Sequence, residues 1–125
     1  MKGCRVSGLN QPFPMTDIAV IIVNWNARED LRHCLQSLYA DPLPCVSYEV
    51  WVMDNASGDG SADMVALEFP QVTLVVNADN AGFSKANNQA IARTDSRYVF
   101  LLNSDAFIHP GALDALVAYA DAHPK

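Results

Sequence analysis

From Asp17 onward, short apolar runs alternate with stretches in which apolar residues recur every three or four positions, and the alternation repeats four times. Residues 18–23 form an unbroken apolar run, the mark of a strand buried on both faces. Leu31, Cys34, Leu35, Leu38 and Tyr39 then fall at helical spacing. Asp41-Pro42-Leu43-Pro44 closes that helix, because a residue preceding proline is pushed out of the helical region. Residues 48–53 read as a second strand whose Trp51 alternates into the interior and reads as core. Ala62, Val65, Ala66 and Phe69 give a second helical stripe stopped by Pro70, with Ser57, Asp59 and Ser61 placed to cap it. Residues 72–76 make a third strand, and Phe83, Ala86, Asn87, Ala90 and Ile91 a third helical stripe. Residues 98–102 make a fourth strand. Pro110 is expected to open a last helix carrying Leu113, Leu116, Val117 and Ala120, since proline has no N–H to waste at a first helical position.

Strand–helix alternation of this kind predicts an α/β fold with a parallel sheet and helices on both faces. Residues 1–16 mix Gly, Pro, Ser, Asn and Gln without periodicity and read as a mobile leader, leaving 17–125 as one domain. The length, 125 residues, suffices for one buried core without disulfides or metal. The composition, half hydrophobic and 18% charged, excludes a disordered chain. A net charge of -6 argues against nucleic acid or an anionic membrane as partner. It also requires any anionic ligand to bring a cation or to meet a local pocket of N–H groups. Cys4, Cys34 and Cys45 are odd in number and lack metal or redox spacing, which fits a reducing compartment. The longest apolar run is six residues, far short of the roughly 20 that a membrane helix needs. A soluble, cytoplasmic domain without a transmembrane segment is the expectation.

In a parallel sheet, ligands gather beyond the carboxyl ends of the strands, where the strand order reverses. Those ends carry Asn24-Trp25-Asn26, then Asp54 through a loop rich in Ser, Gly and Asp, then Asn77, Asp79, Asn80 and Gly82, then Asn103-Ser104-Asp105. Such residues also make ordinary turns, but four polar ends with a tryptophan among them favour a binding rim. Asp54 offers two oxygens to an imide N–H of a pyrimidine base, or serves as an Asx-turn or helix cap. Trp25 offers a flat face for stacking a base, or fills core. Asp105 is a hard oxygen ligand of the kind Mg²⁺ or Mn²⁺ takes together with substrate phosphates, or caps a helix. Lys85 reaches phosphate or is a solvated surface lysine. His33 reads as an exposed helix residue, and His109 as a loop histidine within reach of Asp105. A near miss to G-x-G-x-x-G at Gly58 and Gly60 lacks its third glycine, so a nicotinamide enzyme is rejected. A receiver domain would want an acidic pair directly after the first strand, where Asn24-Trp25-Asn26 stands.

Taken together, Ile21-Ile22-Val23-Asn24-Trp25-Asn26, Asp54-Asn55-Ala56-Ser57 with Asp59-Gly60-Ser61, Asn80-Ala81-Gly82-Phe83 with Asn87-Asn88, and Asn103-Ser104-Asp105 strongly resemble family 2 glycosyltransferases, nearest the rhamnosyltransferase-like branch. The resemblance covers 17–125. It implies a three-layer, Rossmann-like GT-A half-domain, for which we expect strand order 3-2-1-4. It further implies a nucleotide-diphospho-sugar donor (UDP- or dTDP-linked), an inverting mechanism, and Mn²⁺ or Mg²⁺. Position by position, Val23, Asn24, Trp25 and Asn26 occupy the base-contacting turn, and Asp54 matches the carboxylate that bonds the pyrimidine. Asn80 and Gly82 match the donor-binding loop, with Lys85 beside it. Asn103, Ser104 and Asp105 match the DXD motif, Asp105 being its metal-coordinating member. Asn103 stands in place of the first Asp, and Ser104 where this branch usually has proline. The acceptor half that carries the family's catalytic base is absent from this sequence. The acceptor implied is a glycan or a lipid-linked sugar of cell-envelope polysaccharide. The full enzyme would be cytoplasmic or peripheral at the inner membrane, and the fragment inactive alone. A non-catalytic nucleotide-binding module, or one self-associating through the truncated face, is the alternative.

Overall fold

A computed structural model describes residues 16–40 and 46–123. The elements run β1 (Ile18–Asn24), α1 (Arg28–Tyr39), β2 (Tyr48–Asp54), α2 (Ser61–Glu68), β3 (Thr73–Val76), α3 (Phe83–Ile91), β4 (Tyr98–Asn103) and α4 (Ala112–Ala122). All strands are parallel and ordered β3-β2-β1-β4, as expected from the sequence. The leader up to Met15, the Pro-rich stop at 41–45 with Cys45, and Cys4 lie outside the described residues.

β1 is central, and its alternation divides the core. Ile18, Val20 and Ile22 pack against Leu31, Leu35 and Leu38 of α1, Met64 and Val65 of α2, and Leu113 and Val117 of α4. Ala19 and Ile21 face the other way, with Trp51 and Met53, onto Ala86 and Ala90 of α3. Successive side chains of a strand point to opposite faces, so an unbroken apolar run needs helices on both sides, and these supply them. Trp51 is buried there, as its alternation predicted, and Arg93 lies over its ring, 5.3 Å from the centroid.

Three details differ from the sequence reading. The buried side of α2 is Ser61, Met64 and Val65, followed by Phe69, while Ala66 and Leu67 are exposed. Gly60, in the left-handed region at φ 86°, starts that helix, and it sets a phase that the weakly hydrophobic alanines had disguised. Ser61 is therefore the first helical residue rather than a cap; its N–H donates to Asp59 Oδ1 at 3.0 Å. α4 likewise begins after Gly111, with Pro110 in the preceding turn.

α3 lies over β1 and β2 and leaves β4 bare on that face. Val99 and Leu101, in register with Ala19 and Ile21, are consequently exposed, and so are Phe83 and Ile91 at the edge of α3. β4 also ends the sheet, with no strand beyond it among the described residues. The amino edge, by contrast, is latched. Buried Asp17 accepts from Ser47 N–H at 3.0 Å and pairs with Arg97 at 3.0 Å, while Arg97 N–H donates to the Thr16 carbonyl at 2.9 Å. Among the described residues no helix is long and apolar enough to cross a membrane.

Candidate nucleotide-sugar site

Strand register brings the predicted residues to one edge. Asn24 pairs with Asp54 across β1 and β2, and Val23 pairs with Asn103 across β1 and β4. Neighbouring strands lie about 4.8 Å apart, so Asp54, Asn24 and Asn103 form a row, with Trp25 and Asp105 one or two residues beyond it. The chain leaves β1 toward α1 on one face, while α3 covers the other. A crevice opens at such a reversal of strand order.

Hydrogen bonds fix the first two loops to each other. Asn24 Nδ2 donates to Asp54 Oδ1 at 3.0 Å and to Ser57 Oγ at 3.3 Å. The Ser57 hydroxyl donates to Asp54 Oδ1 at 2.7 Å and its N–H to Oδ2 at 3.0 Å. Asn26 N–H donates to Ser57 Oγ at 2.9 Å, and Asn26 Oδ1 accepts from Gly58 N–H at 2.7 Å. The knot holds Asn26 and Ala56 at φ 53° and 61°, a region that residues other than glycine seldom occupy. Asp54 is 1% exposed and already accepts three bonds. A carboxylate has about four acceptor sites, so one remains, on Oδ2. Asp54 thus anchors its own loop, Oδ2 accepting from the Ser57 N–H three residues on, and one acceptor position of Oδ2 has no hydrogen bond among the described residues. Ser57, which the sequence marked only as a turn or capping residue, is the hub of this knot.

The third loop is tied in from the side. Asn55 Nδ2 donates to the Gly82 carbonyl at 3.2 Å, and Asn77 Nδ2 to Asn55 Oδ1 at 2.9 Å and Gln89 Oε1 at 3.1 Å. Asn80 Oδ1 accepts from Gly82 N–H at 2.9 Å. Gly82 sits at φ 85°, ψ 167°, a conformation open to glycine alone, which lets the loop turn sharply into α3. Asn55 and Asn77 position this loop, and nothing in their spacing distinguished them from ordinary turn residues.

Of the other predicted residues, Trp25 is 57% exposed and fills no core. Asp105 is exposed and makes no hydrogen bond among the described residues; α4 starts after Gly111, six positions on, so Asp105 caps nothing. It lies near the buried thiol of Cys34, which donates to the Asn103 carbonyl at 3.8 Å. Burial, reinforced by the Asp105 charge, pushes that thiol up to about 11. Lys85 is exposed in the first turn of α3, a helix that buries Ala86, Asn87 and Ala90. His33 is exposed, and His109 stacks edge-on to Phe107 at 5.4 Å.

Beside Trp25, a cleft of about 330 Å³ is lined by Asn26, Ala27, Arg28, Glu29, Asp30 and Asp59 at the start of α1. Asp59 Oδ2 accepts from Arg28 N–H at 3.0 Å and Arg28 Nη1 donates to the Asp59 carbonyl at 3.1 Å. Partial burial works to raise the Asp59 carboxyl, but the Ser61 hydroxyl and the Arg28 and Ser61 N–H groups outweigh it and hold the acid below its usual range. Among the described residues no group of three His, Cys, Asp or Glu side chains converges on a metal position. Asp105, like Asp79 after β3, is a rim carboxylate with no hydrogen bond or ion pair among the described residues. That donor set fits a divalent cation only when phosphate oxygens complete its shell, since such ions take one or two carboxylates plus substrate phosphates.

The model of the family described as "Glycosyl transferase family 2" matches residues 19–125. The chain belongs to glycosyltransferase family 2. Among its relatives, the glycosyltransferase YibD of Escherichia coli is 30% identical over 82% of this chain. The N-acetylglucosaminyl-diphospho-decaprenol L-rhamnosyltransferase of Mycobacterium tuberculosis is 29% identical over 89%. This family 2 chain spans 30% and 39% of the lengths of those two relatives. Among solved structures, S. aureus TarS 1-349 in complex with UDP-GlcNAc superposes with a TM-score of 0.74 at 26% identity, covering 86% of this chain and 32% of that 1-349 chain. A mannosyltransferase from Pyrobaculum calidifontis in complex with GDP-Man and Mn²⁺ superposes at 0.65 with 25% identity, covering 89% of this chain and 35% of that one. The fold is that of the GT-A glycosyltransferases.

Proposed function

We propose that this chain is the donor-binding half of an inverting glycosyltransferase that uses a UDP- or dTDP-linked sugar. The observation that carries the reading is the row Asp54, Asn24 and Asn103 across three adjacent strand ends, with an exposed tryptophan and a partner-free aspartate just beyond it. In this reading Trp25 stacks on the pyrimidine and the remaining Oδ2 site of Asp54 accepts the imide N–H. Val23, Asn24 and Asn26 shape that turn, and Asn80 and Gly82 approach the ribose and diphosphate. Asn103, Ser104 and Asp105 face the diphosphate. Asp105 would hold Mn²⁺ or Mg²⁺, and the ion when bound neutralises the charge of the departing nucleoside diphosphate.

The acceptor is a glycan or lipid-linked hydroxyl of the cell envelope, in the hexosyl or rhamnosyl transfer class. The base that removes its proton belongs to the part of family members that this chain does not span. The segment by itself binds nucleotide and transfers no sugar. The full protein works in the cytoplasm, peripheral to the inner membrane. A lone carboxylate gives the cation few ligands, so Mn²⁺ should bind measurably only in the presence of UDP.

Calorimetry tests the reading. The chain should bind UDP and dTDP more tightly than ADP, and Trp25→Ala should lower UDP affinity about tenfold, the ~1.4 kcal/mol of a lost stacking partner. Because Trp25 is exposed, its replacement should leave the unfolding midpoint unchanged. No heat with any of the three nucleotides would refute the reading. A second reading, self-association, is favoured by the bare face of β4, where Val99 and Leu101 are exposed at an unpaired sheet edge. Sedimentation at several concentrations separates it from a monomer.

A further inference from the structure

The buried apolar residues of α3 are two alanines, Ala86 and Ala90, set against Ile21, Trp51 and Met53 of the sheet. Alanine offers few atoms to interlock, so such a face buries well but resists sliding along the strands only weakly. Two side-chain ties supply what the alanines lack. One is the bond from Asn55 Nδ2 to the Gly82 carbonyl, just ahead of the helix. The other runs from Asn77 Nδ2 to Gln89 Oε1 at 3.1 Å. Gln89 stands about 10 Å down the helix from Gly82 at 1.5 Å per residue, so α3 is tied near both ends by residues that follow β2 and β3.

Asn77 is itself fixed to the sheet. Its N–H donates to the Asp54 carbonyl at 2.8 Å, and its Nδ2 also donates to Asn55 Oδ1 at 2.9 Å. Asn55, 2% exposed, donates its own N–H to the Asn24 carbonyl at 2.9 Å. The Asn77 amide is therefore shared between the sheet end and α3, and Gln89 is what the helix contributes to the ring. We propose that Gln89 is a positioning residue of the donor site: by holding the Asn77 amide it sets the loop of Asn80 and Gly82 at a fixed distance from Asp54. The proposal rests on the carboxyl rim being that site. In that reading the base lies at Trp25 and Asp54, while Asn80 and Gly82 approach the ribose and diphosphate. Uridine spans part of that gap and UDP spans all of it. Gln89 acts through Asn77 and not on the ligand, so its effect grows with the reach of the ligand.

The test sets Gln89→Met, which keeps the length and removes the acceptor, against Gln89→Glu, which keeps an acceptor in the same place. Uridine and UDP binding are followed by NMR titration in EDTA at roughly 0.15 M salt, where exposed charges more than about 8 Å apart are largely screened. One hydrogen bond of ordinary strength is worth about fivefold in an equilibrium constant. Gln89→Met should weaken UDP by about that factor and uridine by less than about twofold. Gln89→Glu should bring UDP back to within about twofold of the unaltered chain. In the unliganded Gln89→Met chain the amides of Gly82 and Phe83 should shift, while those of Asp17 and Ser47 at the far edge stay in place. Gln89 is half-buried, so neither change should unfold the chain. The proposal is overturned by unchanged UDP affinity, by equal losses for uridine and UDP, by no recovery in Gln89→Glu, or by unmoved Gly82 and Phe83 amides. Unfolding of Gln89→Met alone would make the bond architectural and overturn it too. If the unaltered chain binds neither ligand, it is the donor-site reading that fails, so the two failures are distinguishable.

Discussion

Replacing Asp54 with alanine is expected to lower the unfolding free energy by about 3 kcal/mol, the largest effect of any single rim substitution. The carboxylate accepts from the Asn24 amide and from both the hydroxyl and the N–H of Ser57. Alanine strands these donors, and Asn24 is fully buried with no water to turn to. The loops after β1 and β2 would then lose their common anchor, and the positive-φ conformations of Asn26 and Ala56 their support. Asp54→Asn separates the two roles. It keeps the shape and one acceptor, so about half of the stability loss should return, while its new N–H opposes an imide N–H. UDP affinity should therefore fall tenfold or more, ~1.4 kcal/mol or above, with ADP affinity little changed. Denaturant titration and calorimetry on both variants check this. Equal losses for UDP and ADP would leave Asp54 with an architectural role alone.

Asp105→Ala is expected to do the reverse. The side chain is exposed and bonded to nothing among the described residues, so the unfolding free energy should stay within about 0.5 kcal/mol of the unaltered chain. Mn²⁺ should tighten UDP binding by the unaltered chain by an order of magnitude, roughly 1.4 kcal/mol, and that gain should vanish in the variant. UDP affinity in the presence of EDTA should rise slightly or stay level, because a carboxylate that repels the diphosphate has been removed. Unfolding of Asp105→Ala, or retention of the Mn²⁺ gain, contradicts the assignment.

What the chain's pattern revealed, and what it hid, follows from the physics of each signal. The run at 18–23 announced a central strand because a strand covered on both faces has no polar alternation to show. The order β3-β2-β1-β4 then placed Trp25, Asp54 and Asp105 at one edge. Periodicity failed where residues were ambiguous or cover was missing. Alanine tolerates either side of a helix, so Ala62 and Ala66 did not fix the face of α2, and Met64 lies inside. Phe83 and Ile91 kept helical spacing yet are exposed; spacing says that a face is apolar and not what lies against it. The rim was visible as composition, but its wiring was not. Ser57, Asn55 and Asn77 hold three loops together through side-chain bonds across more than 20 residues of chain, and each looks in isolation like a turn former. Asn87 was legible as a polar residue in an apolar stripe and as part of the motif that carries the family resemblance, while its unpaired state belongs to the packed helix alone.

The account depends on nucleotide landing at the carboxyl edge of the sheet, and an amide-resolved NMR titration with UDP reads that directly. Shifts are expected at Trp25, Asn26 and Ala27, at Ser57 and Gly58, at Gly82 and Phe83, and at Ser104 and Asp105, with Mn²⁺ broadening centred on Asp105. The latched amino edge, Asp17, Ser47 and Arg97, should stay silent. Shifts gathered at that amino edge, or none anywhere with UDP in millimolar excess, would contradict it.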